Sequence, residues 1–199
     1  YKYKVEETHM ESWQRLNARI GACVGTINAL IYLVLITSVI YVMGYLTTQL
    51  SRGEDDSRLM TWVNRLAGDL QSSGLDKVAR ACAPVEDDYF TAVDIMGIVY
   101  HNPLAISRLS RYPAFLEFNE LDEFKAIAAD SGYFEMLQQQ PAINRIFSHP
   151  KTQAIWGNPD LLKKIWSNAR PDLKDLHEFM LTGKTEKYTE PILGRWKID

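Results

Sequence analysis

The sequence predicts an all-α protein, with one long N-terminal transmembrane helix, a soluble domain of many short proline-started helices, and an extended C-terminal tail. Three observations carry this expectation. No Asp, Glu, Lys, Arg or His occurs between Ile20 and Leu50. Beyond that run, apolar residues recur at three- and four-residue spacing as far as Gly183, the period of helices with one buried face. Through the second half, prolines stand directly ahead of short apolar runs. The resulting division is a charged, amphipathic lead-in over 1–19, a membrane helix over 20–50, a linker over 51–57, a helical domain over 58–183 and a tail over 184–199.

The lead-in, "YKYKVEETHMESWQRLNAR", starts at Tyr1 in charged sequence and reads as an internal start. A helix over Ile20–Leu50, rising about 1.5 Å per residue, exceeds the roughly 30 Å hydrocarbon layer and leaves room for tilt. A secretion signal has an apolar core of only roughly 7 to 15 residues. A buried helix of a soluble core is the alternative, but such helices usually keep a polar stripe and this run has no charge on any face. Within it, Gly21, Gly25 and Ala29 repeat every four residues, a face that lets another backbone approach closely. Asn28 lies beside that face and needs a hydrogen-bond partner in lipid, while Tyr32, Tyr41 and Tyr45 suit interfaces or packing. The expected partners are therefore the bilayer and other membrane helices. Lys2, Lys4, Arg15 and Arg19 precede the run, against Arg52, Arg58 and Arg65 after it, a bias that puts the N-terminal side in the cytoplasm and the C-terminal part outside.

In "SRGEDDSR", Gly53 ends the long helix and Asp56 or Ser57 can cap the next. Leu59, Trp62, Val63, Leu66, Ala67 and Leu70 then mark an amphipathic helix up to Ser73-Gly74, and a short helix leads to Cys82. Another helix follows Pro84, with Glu86, Asp87 and Asp88 in its first turn, where the helix dipole favours anions. Those acids could be imagined as a cation site, but their position fits dipole complementation. Prolines then open "NPLAISRL", "YPAFLEF", "QPAINRIF", "HPKTQAIW", "NPDLLKKIW" and "RPDLKDL". Proline suits the first helical position, because its missing N–H would be unpaired there, and it stops the helix before it. Short helices of about two turns must pack edge to edge. Between these units, "FNELDEFKAIAADSGYFEMLQQ" predicts one longer helix capped near Asn119 and closed by Gly132, followed by a short one. The last helix ends at Gly183.

The stretch "ESWQRLNARIGACVGTINAL" resembles the last membrane helix and lead-in of the colicin V production protein family, through Leu16, Asn17, Gly21, Ala22, Gly25, Asn28 and Ala29. The resemblance covers Trp13 to Leu46. It implies a four-helix region in a bacterial inner membrane, of which the fourth helix is present here and three lie upstream. Some members of that family carry an extracytoplasmic serine-protease domain after this helix, in line with the charge bias, but no protease motif follows here. The proline-punctuated array from Gln140 to Leu176 resembles the heat-shock-chaperonin-binding motif of stress-inducible co-chaperones. That resemblance implies a groove for hydrophobic peptides, lined here by Ile143, Ile146, Phe147, Ile155, Trp156, Leu161, Leu162, Ile165 and Trp166. The same residues could equally be the core of a closed helical domain. Gly194 and Trp196 near the end resemble the opening strand of lipocalin-like barrels, from which the natural chain is expected to continue past Asp199.

A net charge of -3 gives no electrostatic reason to expect nucleic acid. Two cysteines, Cys23 and Cys82, are too few for a disulfide framework. His9, His101, His149 and His177 lie far apart without metal-ligand spacing, and no P-loop, dinucleotide fingerprint, zinc signature or nucleophile elbow occurs. The sequence therefore nominates no catalytic residue, metal or cofactor. It predicts a non-enzymatic structural or accessory subunit of a membrane assembly. The alternatives are a membrane-tethered module binding peptides or clients, or a regulatory or processing protein whose active domain lies beyond either end.

Overall fold

Helix α1 runs unbroken over Lys2–Gln49 in a computed structural model that describes residues 2–53, 56–102 and 104–188 and, of the first twelve side chains, only that of Met10. The lead-in therefore continues directly into the apolar run. Among the described residues ten further α-helices follow: α2 (Arg58–Ser73), α3 (Asp76–Ala81), α4 (Asp87–His101), α5 (Ala105–Leu109), α6 (Asp122–Ala128), α7 (Ser131–Gln138), α8 (Ile143–Phe147), α9 (Pro150–Trp156), α10 (Pro159–Ala169) and α11 (Leu173–Thr182). Single 3-10 segments occupy Pro113–Glu120 and Arg170–Asp172, and no strand occurs among the described residues. The fold class is all-α, with a long apolar N-terminal helix and several shorter ones.

Two compact units divide the chain, one of residues 1–42 with 67–84, the other of residues 43–66 with 85–199. In the first, every described side chain from Trp13 to Leu33 is exposed, including Ile20, Val24, Ile27, Leu30 and Leu33. Thr26, Thr37 and Ser38 donate their hydroxyls back to the carbonyls of Ala22, Leu33 and Val34, at 2.8–2.9 Å. Hydroxyls bonded to their own helix need no water. Leu70 of α2 and Ala79 of α3 are buried, and Gly74 makes the turn between these helices at φ +74°. Cys23 and Cys82 are both free and exposed.

In the second unit the last two turns of α1 are locked to α4. Tyr45 Oη (2.7 Å) and Gln49 Nε2 (3.0 Å) both donate to Asp94 Oδ1, and the Tyr45 ring meets Phe90 edge-on at 5.0 Å. Gly97 of α4 permits this approach, since a Cβ there would lie 2.9 Å from Gln49 Oε1 and 3.3 Å from Gln49 Cβ. The main core joins α4 and α11 through Ile95, Leu173, Leu176 and Met180, with Ala105 and Tyr112 against them. A smaller cluster gathers Leu50, Met60 and Tyr100, with Leu46, Met96, Ile143 and Ile146 packed on it.

The local signals explain most boundaries. Ser57 Oγ accepts the Met60 N–H at 3.3 Å and caps α2, while Gly53 turns the chain at φ +80°. Asn158 Oδ1 accepts from Leu161 N at 3.1 Å, His149 Nδ1 from Lys151 N at 3.4 Å, and Pro150 and Pro159 take first-turn positions after them. Gly183 closes α11 in the left-handed region. Two expectations are corrected. The longer helix expected from Asn119 to Gly132, with a short one after it, is instead two short helices: Leu121 is extended at ψ 143° ahead of α6, and Asp130 restarts the chain by accepting the Tyr133 N–H at 3.0 Å, which moves the break ahead of Gly132 and leaves Gly132 inside α7. Pro141 opens no helix either; α8 starts at Ile143, and the Pro141 carbonyl accepts the Tyr100 hydroxyl at 3.2 Å. The strand expected around Gly194 and Trp196 lies outside the described residues.

Residues 184–188 carry no helix and are pinned to α11 and the 3-10 turn before it. Asp172, 5% exposed, holds Lys187 Nζ and Tyr188 Oη. Asp175 accepts from Thr185 Oγ1 (2.5 Å), Tyr112 Oη (2.7 Å) and the N–H groups of Glu186 (2.7 Å) and Lys187 (3.1 Å). Burial alone would raise the Asp175 carboxyl, but these donors favour its charged form and leave it below the ordinary value of 3.8. Asp130 is lowered too, by its ion pair with Lys151 and by the Tyr133 N–H. Carboxyls lowered in the folded state contribute stability above their unfolded values and lose it as pH falls through the folded ones. Unfolding midpoints should therefore be flat down to about pH 5 and fall below about pH 4. Asp175→Asn should flatten that acid limb in denaturant titrations; an unchanged limb would remove Asp175 from the account.

Candidate functional site

The second unit holds a half-open apolar cavity of about 290 Å³, near the lower end of the roughly 300–1,000 Å³ typical of ligand pockets. Helix α4 supplies Ile95, Met96, Val99 and Tyr100, two adjacent pairs about one turn apart. Ile106 and Leu109 come from α5, and Tyr133 and Leu137 from α7. Helices α8 and α9 add Ile143, Ile146, Phe147, Thr152 and Trp156. Leu50 and Arg52, just past the end of α1, complete the lining.

The linker builds the position of Arg52. Asp56 accepts the backbone N–H groups of Arg52 (3.1 Å) and Gly53 (3.3 Å) and the Ser51 hydroxyl, closing a tight loop around Gly53. Arg52 then folds back on α4, donating from Nη2 to the Tyr100 carbonyl at 2.5 Å with its guanidinium carbon 4.2 Å from the Tyr100 ring centroid. Its Nε and Nη1 are buried and have no hydrogen-bond partner. Among the described residues Arg52 makes no ion pair. The other polar groups of the lining are engaged: Tyr100 Oη donates to Pro141, and Tyr133 Oη and Thr152 Oγ1 bond each other at 3.0 Å.

Of the nine residues expected to form a groove, Ile143, Ile146, Phe147 and Trp156 line this cavity, with Phe147 and Trp156 in edge contact at 5.2 Å. Ile155, Leu161, Leu162, Ile165 and Trp166 are not in its wall. Leu161 is buried elsewhere, Ile155, Leu162 and Ile165 are half-buried, and Trp156 and Trp166 are 47% and 41% exposed. Sequence reasoning missed the contributions of α4, α5 and α7 and took Arg52 only as a flanking charge.

Gly21, Gly25, Asn28 and Ala29 are all exposed on α1, and a Cβ built at Gly21 or Gly25 meets nothing within 4 Å. The acids at the start of α4 are put to structural use: Arg170 pairs with Glu86 and, at 2.9 Å, with Asp88, which raises the guanidinium further above its ordinary value. Among the described residues no group of three or more His, Cys, Asp and Glu side chains could hold a metal ion. No protein family, curated protein or solved structure matches the chain.

Proposed function

We propose that this chain is a non-enzymatic membrane protein that serves as a structural or accessory subunit of a membrane assembly. The observation that carries the reading is α1: over Trp13–Gln49 it is long and apolar enough to cross a bilayer, and its side chains are exposed on every face from Trp13 to Leu33. An apolar surface exposed all round a helix is stable only in lipid or against other helices. Because the last two turns of α1 belong to the second unit, the spanning part is residues 20–42, roughly 35 Å of helix, still enough for the hydrocarbon layer. Gly21, Gly25 and Ala29 give it a face for a neighbouring helix, and Asn28 can bond across that contact. The resemblance to the colicin V production family would place three further helices upstream, the protein in a bacterial inner membrane, and the second unit outside the cytoplasm.

Co-purification in gentle detergent tests this. A Cβ at Gly25 meets nothing in the chain itself, and leucine is the better helix former by roughly 0.8 kcal/mol. Gly25→Leu should therefore leave the fold intact and remove partner proteins that accompany the unaltered chain. Full retention of those partners, or none with the unaltered chain, would sink the subunit reading.

The cavity favours a second reading, a membrane-tethered module that binds an apolar client. Trp156 sits half-exposed at an apolar opening formed by the short helices. Quenching of Trp156 fluorescence by an added apolar peptide would support it, and no response to any apolar ligand would remove it.

A further inference from the structure

We propose that the cavity binds a compact amphiphile with one anionic group and an apolar body of roughly ten carbon atoms, its charge met by Arg52. This refines the client-binding reading and stands independently of the subunit reading. The volume sets the size. At about 290 Å³ the cavity is roughly twice the ~150 Å³ apolar void that takes up benzene, and too small for both chains of a phospholipid. The lining sets the chemistry of the body, since Met96, Val99, Ile106, Leu109, Ile143 and Phe147 present only hydrocarbon and a thioether.

Arg52 sets the headgroup. A guanidinium stays charged at any physiological pH, and burying it without an anion is costly unless every donor is satisfied. Here one nitrogen bonds the Tyr100 carbonyl and the Tyr100 ring lies beside the cation, but Nε and Nη1 have no acceptor. The remaining polar side chains of the wall, Tyr100, Tyr133 and Thr152, have bonds already. Arg52 thus holds the unspent donors of the cavity, and they call for an anion. Both nitrogens are covered by the surrounding protein, so the guanidinium turns toward the ligand as the anion enters. A carboxylate on a single chain joins the two requirements in one molecule.

The test uses the full chain in phosphatidylcholine nanodiscs, with binding read by equilibrium dialysis as the excess over empty nanodiscs. Decanoate, decanol and decyltrimethylammonium match the chain and vary the charge. Decanoate should bind saturably at one site, about tenfold or more tighter than decanol, with decyltrimethylammonium weaker still. Arg52→Gln should abolish the preference for decanoate. Should that variant fail to fold, Ile143→Trp, which fills the cavity and leaves Arg52 in place, should abolish saturable binding. Equal binding of decanoate and decanol overturns the proposal, as does saturable decanoate binding that survives Ile143→Trp. Loss of decanoate binding in phosphatidylglycerol nanodiscs would assign the site to a bilayer headgroup and overturns it too. An apolar peptide that binds where decanoate does not would overturn this proposal and leave the client-binding reading standing; no binding by any probe ends both.

Discussion

Truncating Tyr112 to alanine should lower the free energy of unfolding by about 3–5 kcal/mol, the range for removing a large aromatic from a packed core. Tyr112 is fully buried. Its ring lies 5.4 Å from Phe179, 5.5 Å from Tyr188 and 6.4 Å from Phe115, so it joins α11, the segment after it and the 3-10 turn before α6. Its hydroxyl donates to Asp175 at 2.7 Å, and burial followed by the neighbouring Asp175 and Asp172 charges pushes the phenol well above its ordinary value. The hydroxyl therefore stays a donor at every working pH. Tyr112→Phe keeps the ring and removes only that donor, leaving Asp175 with Thr185 and two backbone N–H groups; it should cost about 1–2 kcal/mol. Denaturant unfolding in detergent, followed by near-ultraviolet circular dichroism of the aromatic cluster, separates the two. Equal losses for both variants would mean that the hydroxyl, and not the ring, holds α11 in place.

The features legible in the sequence were those whose cause lies within a few residues. Gly53, Gly74 and Gly183 each adopt the positive φ that marks a helix end, and Pro150 and Pro159 follow their capping residues directly. The long apolar helix could be read because its length and composition are local properties of the sequence. The break near Gly132 was legible but misplaced, because the apolar residues Phe124 and Ile127 before it and Phe134 and Leu137 after it do not mark the join, and it is Asp130, acting as a cap, that sets it at Ala129–Asp130. The cavity was half legible. Ile143, Ile146, Phe147 and Trp156 stand out as apolar residues after prolines, but α4 is apolar nearly all round, so its period does not say which side faces a void. Arg52 was hidden for a different reason. Its contact with Tyr100 crosses 48 positions of chain, and a basic residue beside a long apolar run is already accounted for by the flank it occupies. Gly97 likewise has meaning only through Gln49, which it admits from the far side of the linker.

Arginine at both Leu30 and Leu33 should drive the protein out of the membrane fraction. Each arginine near the middle of a spanning helix costs about 2.5–3.5 kcal/mol in insertion, and each leucine lost adds roughly 0.3–0.6 kcal/mol, so the pair costs on the order of 6–8 kcal/mol. Leu30 and Leu33 are 54% and 52% exposed and three residues apart, hence on one face. Neither is needed for packing within the described chain. If α1 instead stood in water, both arginines would occupy exposed positions, where substitutions usually change stability by no more than about 0.5 kcal/mol, and the exchange would improve solubility. The two environments thus predict opposite outcomes from one variant. In carbonate-washed membranes from an expressing cell, the unaltered chain should remain in the pellet and Leu30→Arg with Leu33→Arg should be lost from it, by degradation or release. A variant that stays in the pellet would show that another segment or a partner holds the chain there. An unaltered chain found in the wash would remove the bilayer from the account and leave the exposed face of α1 to protein partners alone.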